Sequence, residues 1–293
     1  VTLAAPILLA FNAVNNLFGV GTSSMMSRAL GKKDYDTVSR SSAFGFYGCI
    51  ISGFLFSLGC TVFQGPLLAL LGARAETLAS TSAYMRWTVT FGAMPAILNV
   101  VMAYMVRAEG ASLHASIGTM TGCLLNIVLD PIFIFGFGWG TVGAALATWL
   151  SEAAVFLIFV YKLRRKDDLL GGFPFFVRLK RKYSRRIFKL GLPVATLNTL
   201  FAFVNMFLSR TAAEQGGHIG LMAFTTGGQI EAITWNTSQG FSTGLSAFIA
   251  QNYAAGQKTR VWQAWKTTLW MTGVFGTLCS LLFIFYGSEG FSL

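Results

Sequence analysis

The chain has 293 residues, 54% of them hydrophobic and only 11% charged, and a formal net charge of +11. Soluble domains carry about 25% charged residues, so this composition excludes an ordinary soluble enzyme and points to a chain that crosses a bilayer several times. The positive charge does not indicate nucleic acid, because Lys and Arg concentrate in a few connections between apolar runs, as the positive-inside rule requires.

In chain order, the apolar runs predict eight spans, at about 1–28, 40–71, 82–107, 113–136, 139–162, 187–212, 218–253 and 262–285, each near or above the roughly 20 residues a crossing needs. The fold class expected is therefore an all-α polytopic membrane protein. The connection after the first span holds Lys32, Lys33 and Arg40, and the third is followed by Arg107. The connection after the fifth, Lys162–Lys189, is dense in Lys and Arg, and the seventh leads into Lys258, Arg260 and Lys266. Of the 22 Lys and Arg residues, only Arg74, Arg86 and Arg210 fall on the opposite side. The cation-rich side is expected to be cytoplasmic. Both ends of the chain then face outward from a cell (plasma) membrane.

The basic connection divides the chain into 1–165, a linker at 166–186, and 187–293. Its cations are suited to anionic headgroups, at about 1 kcal/mol each, and it has no aromatic-interleaved nucleic-acid motif. The chain begins at Val1, without Met and already inside an apolar run, and is expected to be part of a longer protein. Cys49, Cys60, Cys123 and Cys279 all lie in apolar runs. They have no metal-type spacing, and small-residue packing is their expected role.

The end of the first span, Gly19–Asp34, reads GVGTSSMMSRALGKKD, and the end of the seventh, Gly244–Thr259, reads GLSAFIAQNYAAGQKT. At an offset of 225, Gly19 meets Gly244, Ala29 meets Ala254, Gly31 meets Gly256 and Lys33 meets Lys258. The two spans lie six apart and point the same way. Two six-helix lobes related by an axis along the membrane normal are the natural inference, and parallel repeats of this sort characterise transporters.

The most informative stretch is Leu124–Glu152, LLNIVLDPIFIFGFGWGTVGAALATWLSE. Asn126 and Asp130 are four residues apart and share one helix face. Pro131 follows directly and leaves the carbonyl of Ile127 without its helical donor. An acid, an amide and a freed carbonyl inside an apolar run are costly, and they mark a functional site by default. Glu152 lies one turn beyond Thr148 on a similar face. It either extends that polar cluster or stands neutral and hydrogen-bonded to a neighbouring helix. Asn205, Gln229 and Glu231 are further polar positions in later spans, suited either to a substrate cavity or to helix pairing. Asn12, Asn15 and Asn16 in the first span read the same way. His114 and His218 have no partner at ligand spacing, and neither a phosphate-cradling P-loop nor an HExxH helix is present. No enzymatic activity and no cofactor are expected.

Three stretches carry a resemblance: GTSSMMSRALGKKD at Gly21–Asp34, LNIVLDPIFIFGFGWGTVGAALAT at Leu125–Thr148, and GLPVA at Gly191–Ala195. They resemble the multidrug and toxic compound extrusion (MATE) family, across essentially the whole chain. The resemblance implies the second to ninth of twelve helices in two lobes. It implies a secondary antiporter that exports cationic or amphiphilic compounds against an inward proton or sodium gradient and works as a monomer when complete. It places the coupling cluster at Asn126, Asp130 and Thr148, with Asn99 on the third span. It places no other metal beyond a sodium ion at Asp130. Some relatives carry a Glu shortly after GLP; here the region reads NTLFAFVN, and Glu231 is either a substitute acid for the second lobe or a helix-pairing carboxylate. Rival readings are a lipid-linked saccharide flippase, which would need a strongly cationic cavity, an intramembrane enzyme, and an inactive truncated membrane protein.

Overall fold

The computed structural model describes residues 5–66, 93–164 and 181–290. Arg74 and Arg86, the start of the third expected span and most of the expected basic linker lie outside them. Seven helices follow in order: α1 Ala5–Gly31, α2 Tyr35–Val62, α3 Ala93–Ala108, α4 Ser112–Pro131, α5 Gly140–Arg164, α6 Arg181–Ala254 and α7 Lys258–Gly290. A π-helical turn, Ile132–Gly136, joins α4 to the bend before α5. No strand occurs among the described residues. Within α6, Gly217 breaks the helix with φ 57° and ψ −144°, a conformation that suits glycine. The break separates 181–216 from 218–254, so the described helical segments correspond to all eight expected spans.

Five helical stretches are long and apolar enough to cross a membrane: Tyr35–Val62, Ser112–Gly136, Val142–Lys162, Tyr183–Gly217 and Lys258–Phe285. The segment 218–254 falls short by composition, because Thr225, Thr226, Gln229, Glu231, Thr234, Asn236, Thr237, Ser238 and Gln239 crowd its middle.

The chain divides into two compact units, Val1–Thr199 and Leu200–Leu293. In the first, α3 is the central helix and packs on α1, α2, α4 and α5. It is apolar on nearly every side, as a buried helix must be: Ile97, Val101, Met102, Met105 and Val106 are fully buried. Phe18, Met26, Cys49 and Phe159 complete the core from neighbouring helices. The outer face of α4, with Leu113, Ile117, Leu124 and Ile127, stays exposed, as a lipid-facing surface would. The start of α6 belongs to this unit. Gly21 faces the Ile187 carbonyl and Gly191 faces the backbone of Leu17 so closely that a Cβ at either position would collide. Phe188 packs edge-on against Phe18, with ring centroids 5.6 Å apart. The first compact unit thus runs on to Thr199.

In the second unit, Phe201 stacks on Trp235 at 5.2 Å and 9°, which brings the two halves of α6 side by side as an antiparallel hairpin. The four cysteines are all free thiols.

Helices α1 and α6 end in the same way. Lys33 has φ 58°; its N–H donates to Leu30 O at 2.9 Å and that of Asp34 donates to Ala29 O at 2.9 Å. Gly256 has φ 77°; its N–H donates to Tyr253 O at 3.1 Å and that of Gln257 donates to Asn252 O at 2.8 Å. Both are Schellman turns, and the next helices start two residues later, at Tyr35 and Lys258. The repeated turn thus equates Lys33 with Gly256, two residues out of the register that pairs Gly31 with Gly256. After the first turn, Asp34 caps α2, accepting from Thr37 N at 3.1 Å and Thr37 Oγ1 at 2.6 Å. These bonds, the hydroxyl foremost, hold its carboxyl below the ordinary range.

Candidate ion-coupling site in the first unit

Small residues on α4 determine which side chains of α5 it meets. Gly118 receives the ring of Phe159, and Gly122, one turn later, receives Val155. At both positions a Cβ would strike the partner side chain. Farther along, Gly143 of α5 lies against the Phe133 carbonyl, where a Cβ would come within 2.7 Å. The two helices therefore run antiparallel in close contact, and Asn126 is carried to Thr148.

Asn126 Nδ2 donates to Asp130 Oδ1 at 3.4 Å and to Thr148 Oγ1 at 3.5 Å. The Thr148 hydroxyl in turn donates to Ala144 O at 3.0 Å. Asn126 and Asp130 are half-buried and Thr148 is exposed. Among the described residues no Lys or Arg pairs with Asp130. The three therefore form a short polar ladder whose one charge has no protein counter-ion, an arrangement that suits a monovalent cation or a proton. Among the described residues no group of three or more His, Cys, Asp or Glu gathers as a metal cluster.

The helix does not stop at Pro131. It widens into the π turn, with Phe137 N donating to Ile132 O at 2.9 Å, which accommodates the donor that proline removes. Phe133, Phe137 and Trp139 then form an aromatic knot; Phe137 and Trp139 stack at 5.1 Å. Gly138 (φ 70°) and Gly140 (φ 52°) turn the chain into α5, a conformation other residues rarely adopt.

Asn99 is placed differently from the expected single cluster. It is 4% exposed on α3, and its Nδ2 donates to Glu152 O at 2.7 Å and to the Glu152 carboxylate. The expected set thus falls into two neighbouring groups, Asn126–Asp130–Thr148 and Asn99–Glu152. They are joined along α5, where Thr148 and Glu152 lie one turn apart. Spacing did not signal the Asn99–Glu152 pair, which spans 53 residues of sequence.

In the second unit, Asn205 donates to Phe201 O at 3.0 Å within its own helix. Gln229 and Glu231 are exposed, and Thr234 Oγ1 donates to the Glu231 backbone carbonyl at 2.7 Å. The Phe201–Trp235 stack puts Asn205 and Glu231 level with each other, one turn closer to Gly217, but no hydrogen bond joins them. Asn15, Thr22 and Ser27 are buried polar residues of α1, each with a side-chain oxygen lacking a partner among the described residues; Asn15 and Thr22 share a face and Ser27 does not. Of these, only Asn15 was legible in the sequence; the seven-residue step from Asn15 signals Thr22, and no spacing signals Ser27.

The MatE family model matches residues 1–132 and 193–292. The chain is 32% identical over 282 residues to the "Multidrug export protein MepA" of Staphylococcus aureus (strain MSSA476), covering 96% of this chain and 62% of that relative. It therefore spans just over three-fifths of the length of the curated relative it matches. Among solved structures, the fold is similar to a MOP superfamily transporter from Pyrococcus furiosus, with TM-score 0.89 and 26% identity over 99% of this chain and 64% of that one. It is also similar to an outward-facing multidrug resistance MATE family transporter, with TM-score 0.86 and 26% identity over 99% of this chain and 64% of that chain. The matched residues include Asn126, Asp130 and the Gly191–Ala195 region's Pro193, and the described helices follow the same order; the chain belongs to the MatE family of multi-pass membrane transporters, which are not enzymes.

Proposed function

We propose that this chain forms the greater part of a secondary antiporter that exports cationic or amphiphilic compounds in exchange for protons or sodium ions, with Asp130 as the carboxylate that takes the coupling ion. The observation that carries the reading is the Asn126–Asp130–Thr148 ladder at the α4–α5 seam, an acid without a counter-ion among the described residues in a membrane-length helix. An ionised carboxylate in such surroundings is expensive, and a bound proton or cation removes that cost. The loaded and empty forms then favour different packing of α4 and α5 around the π turn and the glycine bend, and the ion acts only through that difference. Asn126 and Thr148 supply the amide and the hydroxyl that hold the carboxylate and its ion. The complete protein works as a monomer in the plasma membrane, among its lipids, on small cationic or amphiphilic substrates, with no nucleic acid and no cofactor besides the ion.

The test is efflux of a fluorescent cation from proteoliposomes containing the full-length protein, with proton and sodium gradients imposed separately. Wild type is expected to respond to one gradient, and Asp130→Asn to lose at least tenfold of the driven rate. Undiminished driven efflux in Asp130→Asn would remove Asp130 from coupling. Absence of cation efflux under either gradient would favour a lipid-linked saccharide flippase.

A further inference from the structure

Glu152 stands outside the ladder that explains Asp130, yet it is the second carboxylate of the same helix pair. It is half-buried on α5, at the face that packs on α3. Among the described residues one side chain holds it: Asn99 Nδ2 donates to both its carboxylate and its backbone carbonyl. The other end of that amide is unused. Asn99 Oδ1 is buried and accepts no hydrogen bond, in a side chain that is 96% enclosed (4% exposed). An orphaned buried acceptor is uncommon and calls for an explanation. Here a carbonyl oxygen, a carboxylate and no balancing cation share one small region.

The charged groups on the packed elements do not neutralise it. On α3 the only cation is Arg107, two turns from Asn99, and it lies over the Tyr104 ring at 5.9 Å. Glu109 follows α3 at the same end. On α4 the titratable groups are His114, near its start, Cys123 and Asp130. Among the described residues no Lys or Arg pairs with Glu152. Asp130, joined to Glu152 by Asn126, by Thr148 and by one turn of α5 (about 6 Å of rise), adds a like charge. A single cation compensates only one of these two carboxylates. Hard oxygen donors of the kind Asn99 Oδ1 and Glu152 offer suit a proton or a small alkali cation.

We propose that Asn99 and Glu152 form a second monovalent-cation site of the first unit, distinct from Asp130 and coupled to it through Thr148 and Asn126, so that each transport cycle moves two coupling ions. This rests on the antiport reading above. The rival is a purely structural role in which Asn99 staples α3 to α5. Glu152→Gln separates the two, because the Gln carbonyl still accepts from Asn99 Nδ2 while the charge is gone.

The experiment measures ions moved per substrate from the reversal potential of efflux in proteoliposomes containing the full-length protein. One arm imposes a proton gradient without sodium, and the other a sodium gradient at fixed pH. Two ions per monovalent substrate are expected for wild type and one for Glu152→Gln, with Glu152→Asp restoring two. The arm that shows the loss identifies the ion. A wild-type stoichiometry retained in Glu152→Gln would overturn the second site and leave the staple. If Glu152→Gln does not fold, Asn99→Ala serves: a weaker ion dependence, with a several-fold higher half-saturating ion concentration, supports the site, and an unchanged one overturns it. Failure of the antiport reading is distinguishable, because neither gradient then drives efflux in wild type, whereas failure of the second site alone leaves driven wild-type efflux with its stoichiometry unchanged in Glu152→Gln.

Discussion

Asp130 acquires its setting from two side-chain contacts of Asn126, and the hydroxyl end is open to a single-residue test. Asn126 holds the carboxylate at 3.4 Å and the Thr148 hydroxyl at 3.5 Å. Both distances are long for hydrogen bonds. Thr148→Val keeps the shape and removes the hydroxyl, and one such bond is worth about 1 kcal/mol. The ion concentration giving half-maximal efflux is expected to rise roughly fivefold in Thr148→Val and to stay near wild type in Thr148→Ser. Equal effects of the two substitutions would show that the hydroxyl takes no part.

At the scale of helices, the site depends on how closely α4 and α5 approach, and Gly118 and Gly122 set that distance. Gly122→Ala places a methyl against Val155. Overpacking of this kind costs about 1–3 kcal/mol, and here it would also draw Asn126 away from Thr148. Gly122→Ala is expected to lower both the thermal midpoint in detergent and ion-driven efflux. Adding Val155→Ala is expected to restore much of each, the non-additivity of residues in contact. A double variant no better than the single one would mean the seam is not held by that contact. The Schellman turns illustrate the same scale. Sequence comparison aligned glycines 225 residues apart, whereas the backbone aligns the left-handed residues Lys33 and Gly256, because a turn is fixed by where φ becomes positive and not by where glycine stands.

For the whole molecule, if the eight expected spans alternate across the membrane, the two Schellman turns are expected on one side of it and the glycine bend on the other. With the four native cysteines replaced, Lys32→Cys and Gln257→Cys are expected to react with a membrane-impermeant thiol reagent only from the cytoplasmic side, and Phe137→Cys only from outside. Labelling of Lys32→Cys and Gln257→Cys from opposite sides would break both the topology and the parallel repeat.

Composition and charge placement alone determined that this is an all-α, multi-pass membrane chain, since apolar length and cation asymmetry are properties of local sequence. The site was legible in part for the same reason: Asn126 and Asp130 share a face because a helix turn is 3.6 residues, and Pro131 disturbs whatever helix contains it. The family resemblance supplied Thr148. Tertiary structure decided the rest. It showed that glycines at 118 and 122 carry Thr148 to Asn126, that the chain passes Pro131 through a π turn, that α6 begins within the first unit because Gly191 fits against Leu17, and that Asn99 turns to Glu152. Apart from the π turn, these are contacts between residues far apart in sequence. They depend on which helices lie side by side and how closely, and no local period or spacing encodes that.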